Sequence, residues 1–425
     1  MSRPFHTLGY AMISLHGRAT DVHLLKRLNE KVFRLDRVTH SSLDIFSLNS
    51  NHSGPGMRQV YLVKDESDAE GLSEFIVAPS TMSYLKDGDI VSLSSDGLSI
   101  STLWRGNGVT NTFLLTERCD NFCLMCSQPP RERNDDWLIQ QAFEVVSLMP
   151  KDAVEIGITG GEPTLYGSHF NELVRHITST LPTTALHILS NGRKFSDWDF
   201  ALEYSGATND STMVGIPIYG SESKLHDYVV QAEGAFHETV NGILNLGELD
   251  QAIELRVVLH AQTTPALIEI AEFITRNLPF VDQVALMGLE MMGFARKNQD
   301  LLWIDPAMYQ EDLAEATEHL VSHGVHTMIY NHQLCLLHRD IWKYAVQSIS
   351  DWKNEYDALC TECDVLERCG GFFHSAKYGS SSSITPLDSE GFAKSKVFLD
   401  LADQVMPKTD WSRRLIPVTA VDWAE

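Results

Sequence analysis

At 425 residues, with 43% hydrophobic and 21% charged side chains, the chain has the composition of a globular protein large enough for more than one domain. No apolar run approaches the roughly 18–20 residues that span a bilayer. Met1-Ser-Arg-Pro-Phe-His lacks the apolar stretch of a secretory leader, and a formal net charge of −24 opposes non-specific binding to a phosphate backbone, so the expectation is a cytoplasmic protein with no membrane and no nucleic-acid partner.

Residues 1–105 read as a mainly β accessory domain. Residues 91–100 alternate apolar and polar side chains around Ser95-Asp96-Gly97, the pattern of a β-hairpin. Lys86-Asp87-Gly88-Asp89 predicts an earlier turn, 75–78 a strand, and 20–33 a helix. From 106 to 300 apolar strands alternate with helical patterns at a spacing of roughly thirty residues. The strands are expected at 112–115, 154–158, 185–189, 213–218, 255–259 and 284–289. Helices are expected at 136–148, 169–177, 197–204, 236–246 and 267–275. Short continuous apolar strands separated by helices predict a parallel sheet buried on both faces, curled by right-handed crossovers. Six units are three-quarters of the eight-unit barrel, so the fold class expected is α/β, a partial (β/α)6 TIM-type barrel.

The chain has seven cysteines, and their division into three and four favours metal chemistry in a reducing compartment over disulfides. Cys119, Cys123 and Cys126 form C-x3-C-x2-C directly after the apolar run of the first strand. Three thiolates hold three corners of a cubane iron–sulfur cluster and leave one iron open. The plainer alternative is a zinc site short of one ligand, completed by a histidine such as His169. Thr159-Gly160-Gly161-Glu162-Pro163 closes the second strand. Its glycines let backbone approach a ligand, and Glu162 offers a carboxylate to an ammonium; alone, each also reads as an ordinary turn residue. Ser190-Asn191-Gly192 is a polar turn after the third strand. After the fourth come Tyr219-Gly220, His226-Asp227 and Gly234-Ala235-Phe236. His260 reads equally as a hydrogen-bonded core residue, and Met287, Met291 and Met292 as adaptable packing. No residue is singled out as catalytic.

Residues 301–380 begin with a helix expected at 306–323, capped by Asp305. Cys335, Cys360, Cys363 and Cys369 then follow with spacing C-x24-C-x2-C-x5-C, enough thiolates to close one further cluster or one zinc. Gly379 and the four serines after it read as a linker, and the tail, 381–425, has no chemical motif.

The cysteine loop followed one strand later by Gly-Gly-Glu-Pro resembles the radical SAM enzymes. In that family the open iron chelates S-adenosylmethionine, and an electron entering the sulfonium releases a 5′-deoxyadenosyl radical. The resemblance implies a 4Fe–4S cluster on Cys119, Cys123 and Cys126, and SAM held by Gly160, Gly161, Glu162 and Pro163 with Ser190 and Asn191. It also implies an electron donor such as flavodoxin or ferredoxin. Met125 stands where the family has an aromatic residue. C-x2-C-x5-C followed by Gly370-Gly371 resembles the auxiliary-cluster (SPASM) module of peptide-modifying enzymes, except at Phe373, where the module has another cysteine. The one-cluster, twitch-like type of auxiliary domain fits four cysteines better. Leu115-Thr-Glu-Arg-Cys119, Cys123-Leu-Met-Cys-Ser-Gln-Pro-Pro130, Leu225-His-Asp-Tyr-Val-Val230 and Ala285-Leu-Met-Gly-Leu-Glu290 are similar to the C-type radical SAM maturases of the His-Xaa-Ser repeat peptide system. That likeness implies a ribosomally made precursor peptide as substrate, beside a second radical SAM protein and a small partner. The alternatives are an RNA-modifying enzyme and a non-catalytic iron–sulfur scaffold subunit.

Overall fold

Eight parallel strands follow one another across a single sheet in chain order. They are β1 Asn111–Leu114, β2 Glu155–Thr159, β3 Ala185–Leu189, β4 Thr212–Pro217, β5 Ala252–Leu259, β6 Gln283–Gly288, β7 His326–Tyr330 and β8 Ala345–Val346. This computed structural model describes residues 5–7, 16–19, 21–23, 31–40, 43–50, 60–95, 97–108, 111–347 and 355–387. No pairing joins β8 to β1 among the described residues, so the curled sheet is open. The sequence spacing predicts six strands; the structure adds β7 and the two-residue β8. In β7, His-Thr-Met-Ile-Tyr interrupts the apolar run with polar residues, which is why it does not stand out.

Helices return the chain between strands: α1 Trp137–Leu148, α2 Ser168–Thr180, α3 Trp198–Ser205, α4 Ser223–Val230, α5 Ala235–Glu248, α6 Leu267–Asn277, α7 Gly293–Lys297, α8 Gln299–Leu302 and α9 Gln310–Ser322. The Asp197 carboxylate accepts from Phe200 N to start α3. Asp305 caps only a 3-10 turn, Pro306–Met308, and the helix expected from 306 resumes at Gln310.

Successive strand residues point to opposite faces, and the two faces differ here. Ile156, Ile158, Leu186, Ile188, Val214, Leu255 and Val284 are fully buried in one core with Phe170, Ile177, Ile243 and Ile274 of the helices. The alternate positions, inside the curl, include Glu155, His187, Glu254, Arg256 and Gln283. Both faces are buried, as the strand pattern predicts, and the inner one carries charged and polar residues among small apolar ones.

The amino-terminal part forms a second eight-stranded sheet, in spatial order 16–18, 99–104, 90–93, 32–40, 43–49, 61–63, 75–77 and 21–23. Its pairs are antiparallel except 61–63 with 75–77. The predicted hairpin is present, with Gly97 at φ 73°. The helix expected at 20–33 is not: 21–23 and 32–40 are strands, and 24–30 lie outside the described residues. Ile90 and Trp104 join the buried core of the parallel sheet, tying the two sheets together. Among the described residues no helix is long and apolar enough to cross a membrane, and 388–425, most of the expected tail, lie outside them.

Candidate functional site

The cysteine loop leaves the C-terminal end of β1 and is anchored at its base by a buried carboxylate. Asp135, 0% exposed, accepts from Thr116 Oγ1 at 3.0 Å, Glu117 N at 2.6 Å and Arg118 Nε at 3.1 Å. The Arg118 guanidinium lies 5.2 Å from the Tyr166 ring centroid, and the Tyr166 hydroxyl donates to Leu115 O at 3.0 Å. Further along, Phe122 N donates to Val230 O and Leu124 N to Val229 O, so α4 supports the second cysteine.

Gly160 and Gly161 serve this loop. A Cβ on Gly161 would stand 2.0 Å from Arg118 O, and one on Gly160 2.7 Å from Thr116 O. Gly161 N donates to Thr116 O at 2.7 Å and Glu162 N to Arg118 O at 2.8 Å. The glycines thus permit close backbone packing onto the cysteine loop, and both residues also line the cavity described below.

Glu162 is 1% exposed. Its Oε1 accepts from Thr164 N at 2.9 Å, Thr164 Oγ1 at 2.6 Å and Ser190 Oγ at 2.9 Å, and its Oε2 from Asn191 N at 2.6 Å. Burial pushes its carboxyl above the ordinary range, and those donors oppose the shift. The carboxylate therefore locks the second-strand turn to the third-strand turn. Neither Glu162 nor the buried Pro163 is among the residues lining the cavity.

Ser190 and Asn191 reach the cavity from the third-strand turn, and Asn191 Nδ2 donates to Asp120 Oδ1 at 2.6 Å. Arg193, two residues on, donates through Nη1 to Asp120 O and Asn121 Oδ1, both at 2.8 Å, and through Nε to Glu238 at 2.6 Å. Gly293, at φ 54°, brings the start of α7 against the loop; a Cβ there would lie 2.4 Å from Cys126 O. Met125 packs in a buried group with Tyr219, Val229 and Val230. Tyr219 also lines the cavity, so an aromatic ring from the end of β4 stands beside the methionine.

These parts enclose one cavity of about 310 Å³. Cys119, Cys123 and Cys126 line it together with Gly160, Gly161, Ser190, Asn191, Tyr219 and Arg256. All three cysteines are free thiols. Burial pushes Cys119 up to about 12, with the nearby Glu162 adding to it, and raises Cys123 and Cys126 as well. Neutral thiols held that high need a cation to become thiolates, so metal loading here releases protons. Three thiols around a cavity beside two backbone-lined turns fit a 4Fe–4S cluster with one open iron. Among the described residues no three His, Cys, Asp or Glu side chains gather tightly enough to grip a single ion. His169, the alternative fourth ligand, instead bonds Gln140 and Glu172 and stacks on Phe143. A larger cavity, about 580 Å³, lies in the amino-terminal sheet among Phe46, Leu62, Met82 and Leu85 and contains none of the candidate residues.

Of the remaining candidates, His226 is 1% exposed and accepts from Tyr219 N, while Asp227 accepts from Gly234 N and Phe236 N. His260 is fully buried; its Nδ1 accepts from Gln262 N, and its Nε2 has no hydrogen-bond partner. Met287 lines the cavity, Met291 is buried and Met292 is exposed. Cys335 sits in a turn after β7, while Cys360, Cys363 and Cys369 lie among short turns between 358 and 369. Burial raises Cys335, holds Cys360 at about 11 and Cys369 at about 12, with Cys335 adding to both. Leu387 N donates to Cys363 Sγ at 3.3 Å, the kind of backbone contact that tunes a thiolate ligand. Sequence reasoning missed Asp120, Arg193, Arg256 and Gly293. Arg193, directly after Ser-Asn-Gly, was the one with a local signal.

A family model described as the radical SAM superfamily matches residues 113–274. Among solved structures, the chain is similar to native anSMEcpe with bound AdoMet and Kp18Cys peptide: 13% identity, TM-score 0.45, covering 69% of this chain and 96% of that one. It is also similar to the radical S-adenosylmethionine methyltransferase TsrM from Kitasatospora setae, at 13% identity and TM-score 0.32, covering 41% of this chain. This chain spans 36% of the TsrM chain. Coproporphyrinogen III oxidase (HemN) from Escherichia coli gives 11% identity and TM-score 0.39, covering 52% of this chain and 54% of that one. No curated protein matches the sequence. Residues 113–274 are a radical SAM superfamily domain, and the chain is an enzyme whose cofactors are a 4Fe–4S cluster and S-adenosylmethionine.

Proposed function

We propose that this enzyme is a maturase that abstracts hydrogen from a ribosomally made precursor peptide, of the His-Xaa-Ser repeat type, to install a post-translational modification. The observation that carries the reading is the single cavity at which Cys119, Cys123 and Cys126 meet the Gly160-Gly161 and Ser190-Asn191 turns. In this reading the open, curled sheet is a partial barrel, and the three cysteines hold the SAM-cleaving cluster. Gly160, Gly161, Ser190 and Asn191 receive SAM, with Glu162 and Pro163 fixing the turn that presents them. The cluster and SAM supply the radical chemistry when bound. The chain's own residues orient the substrate and keep water out: Met125 and Tyr219 give the cavity an apolar wall, and Arg193 holds the loop against the third-strand turn.

The peptide assignment is supported by the four similar stretches and by the second thiolate set. Cys335, Cys360, Cys363 and Cys369 are assigned to an auxiliary 4Fe–4S cluster in a twitch-like domain, with zinc as the alternative. A smaller pocket bordered by Phe372, Phe373 and Ser375 shares Gly288, Leu289 and Asn331 with the SAM cavity, so the two regions adjoin. A second radical SAM protein, a small partner and a flavodoxin or ferredoxin donor complete the proposed system.

Anaerobic reconstitution should yield about eight irons per chain, four for each cluster. Replacing Cys119, Cys123 and Cys126 together by Ala should halve that number and abolish 5′-deoxyadenosine formation. SAM cleavage undiminished in the triple variant would overturn the site. Mass spectrometry of a His-Xaa-Ser precursor co-expressed with this chain tests the substrate: an unaltered peptide mass, in the presence of the partner proteins, would reject the peptide reading.

A further inference from the structure

The segment after the last cysteine does more than connect. Gly379, Ser380 and Ser381, expected as a linker, wall the small pocket beside the SAM cavity together with Phe372, Phe373 and Ser375. The segment is pinned to its neighbours. The Arg296 guanidinium of α7 lies 3.6 Å from the Tyr378 ring centroid. Gln299 Nε2 of α8 donates to Tyr378 O at 3.1 Å, and Ser382 N donates to Asp305 Oδ2 at 3.3 Å. Gly288 and Leu289 at the end of β6 and Asn331 after β7 border this pocket and the SAM cavity alike. Asn331 adopts φ 62°, and its Nδ2 donates to Gly288 O at 3.3 Å. That conformation is uncommon outside glycine and marks a turn whose position matters. A Cβ on Gly288 would lie 2.6 Å from Asn331 O, so the two strand ends are held close where the cavities meet.

Trp303, Ile304, Met291 and Phe372 make much of the wall apolar, yet one buried hydroxyl there has nothing to bond. Ser375 is 6% exposed, and its Oγ has no hydrogen-bond partner among the described residues. Other polar side chains of the wall are engaged. Tyr309 Oη pairs with His332 Nε2 at 2.9 Å, Gln333 Nε2 donates to Gly371 O at 2.6 Å, and Ser381 Oγ accepts from Ser383 N at 3.0 Å. Leaving a buried hydroxyl unsatisfied costs about 1–3 kcal/mol, so Ser375 calls for an occupant. A lone water needs about two to four polar partners, which suits an aromatic wall poorly. The pocket holds about 50 Å³, room for about two groups the size of a water at roughly 30 Å³ each. A hydroxymethyl group fits that space, and an imidazole ring does not.

We propose that this pocket is a substrate subsite for a serine side chain, with Ser375 as the residue that reads its hydroxyl. The methylene of the ligand meets the aromatic wall, and its hydroxyl pairs with Ser375 Oγ. The assignment rests on the peptide reading above and adds to it which substrate residue is selected, and where.

The test uses the reconstituted full chain and one peptide series with Ser, Ala or Leu at the serine of the repeat. Mass spectrometry of the product gives KM and kcat, and equilibrium dialysis gives SAM affinity. In the wild type, Ala in place of Ser should raise KM about three- to tenfold, the worth of one hydrogen bond. Leu should raise it more than about tenfold, because the pocket has no room for it. Ser375→Ala should bring the Ser and Ala peptides within about twofold of each other in KM. Ser375→Val, which fills the pocket, should raise KM for the Ser peptide about tenfold. SAM affinity should stay within about twofold of wild type in both variants, which a displaced β6–β7 turn would not allow. If the valine variant does not fold, Ser375→Ala carries the test. Equal KM for the Ser and Ala peptides in the wild type would mean that the pocket holds only water, and would overturn the proposal. So would a Ser375→Ala enzyme that keeps the wild-type preference. No product from any peptide would reject the peptide reading and this subsite with it, so the two failures are told apart.

Discussion

Replacing Gly161 by Ala adds one carbon where the structure has none to spare. The new Cβ would lie 2.0 Å from Arg118 O, 2.5 Å from Arg118 C and 3.0 Å from Glu117 C, all backbone atoms. No side chain can swing away, so one turn must shift by more than about 1 Å to reach ordinary contact. That shift breaks the bonds from Gly161 N to Thr116 O and from Glu162 N to Arg118 O. Overpacking costs about 1–3 kcal/mol and two backbone bonds about 0.5–1.5 kcal/mol each, giving a loss of roughly 2–6 kcal/mol. Because Cys119 directly follows Arg118, the displacement also reaches the first cysteine. Gly206→Ala is the control, since its Cβ would meet nothing closer than 3.6 Å. Urea unfolding and iron content after anaerobic reconstitution measure both consequences. A Gly161→Ala protein with wild-type iron and a stability loss below about 0.5 kcal/mol would refute the reasoning.

Burial pushes the Glu155 carboxyl from 4.5 up to about 7, with Glu254 adding to it and His187 opposing. A raised carboxyl gives stability that is complete below the unfolded value and lost as pH rises through the folded one. The loss attributable to this group between about pH 4.5 and 7 is on the order of 3 kcal/mol. Urea midpoints across that range should fall more steeply for wild type than for Glu155→Gln; parallel curves would contradict it. Arg193→Gln loses charged bonds to Asp120, Asn121 and Glu238, so about 2–4 kcal/mol of local stability should go. Iron removal from the reconstituted protein by a chelator should then be faster, and an unchanged rate would speak against the tie. Cys360→Ala with Cys369→Ala should remove about four irons and leave SAM cleavage intact if the second set is a cluster; release of about one zinc ion instead would select the zinc alternative.

Much of the site was legible because its chemistry is local. The C-x3-C-x2-C spacing, the Gly-Gly-Glu-Pro turn and the period of strands and helices each lie within a short window, and each fell where a strand ends. What failed was also local in origin. Residues 20–33 carry a helix-like pattern, yet 21–23 and 32–40 pair with strands elsewhere in the amino-terminal sheet, so tertiary pairing overrode the pattern. β7 escaped notice because His326 and Thr327, one on each face, broke its apolar run.

The sequence by itself determined the cysteine loop, the succession of strands and helices, and the superfamily to which residues 113–274 answer. Only the tertiary structure decided what the neighbouring residues do. Glu162 is held by donors 28 and 29 residues away at Ser190 and Asn191, and Leu124 O is bonded by Asn298, 174 positions on. The roles of Gly161 and Gly293 depend on which backbone happens to face a missing Cβ. Arg256 shares a face with Glu254 by strand alternation alone, but only the curl of the sheet sets it beside the cysteines' cavity. Such roles are set by distance through space, which local pattern does not encode.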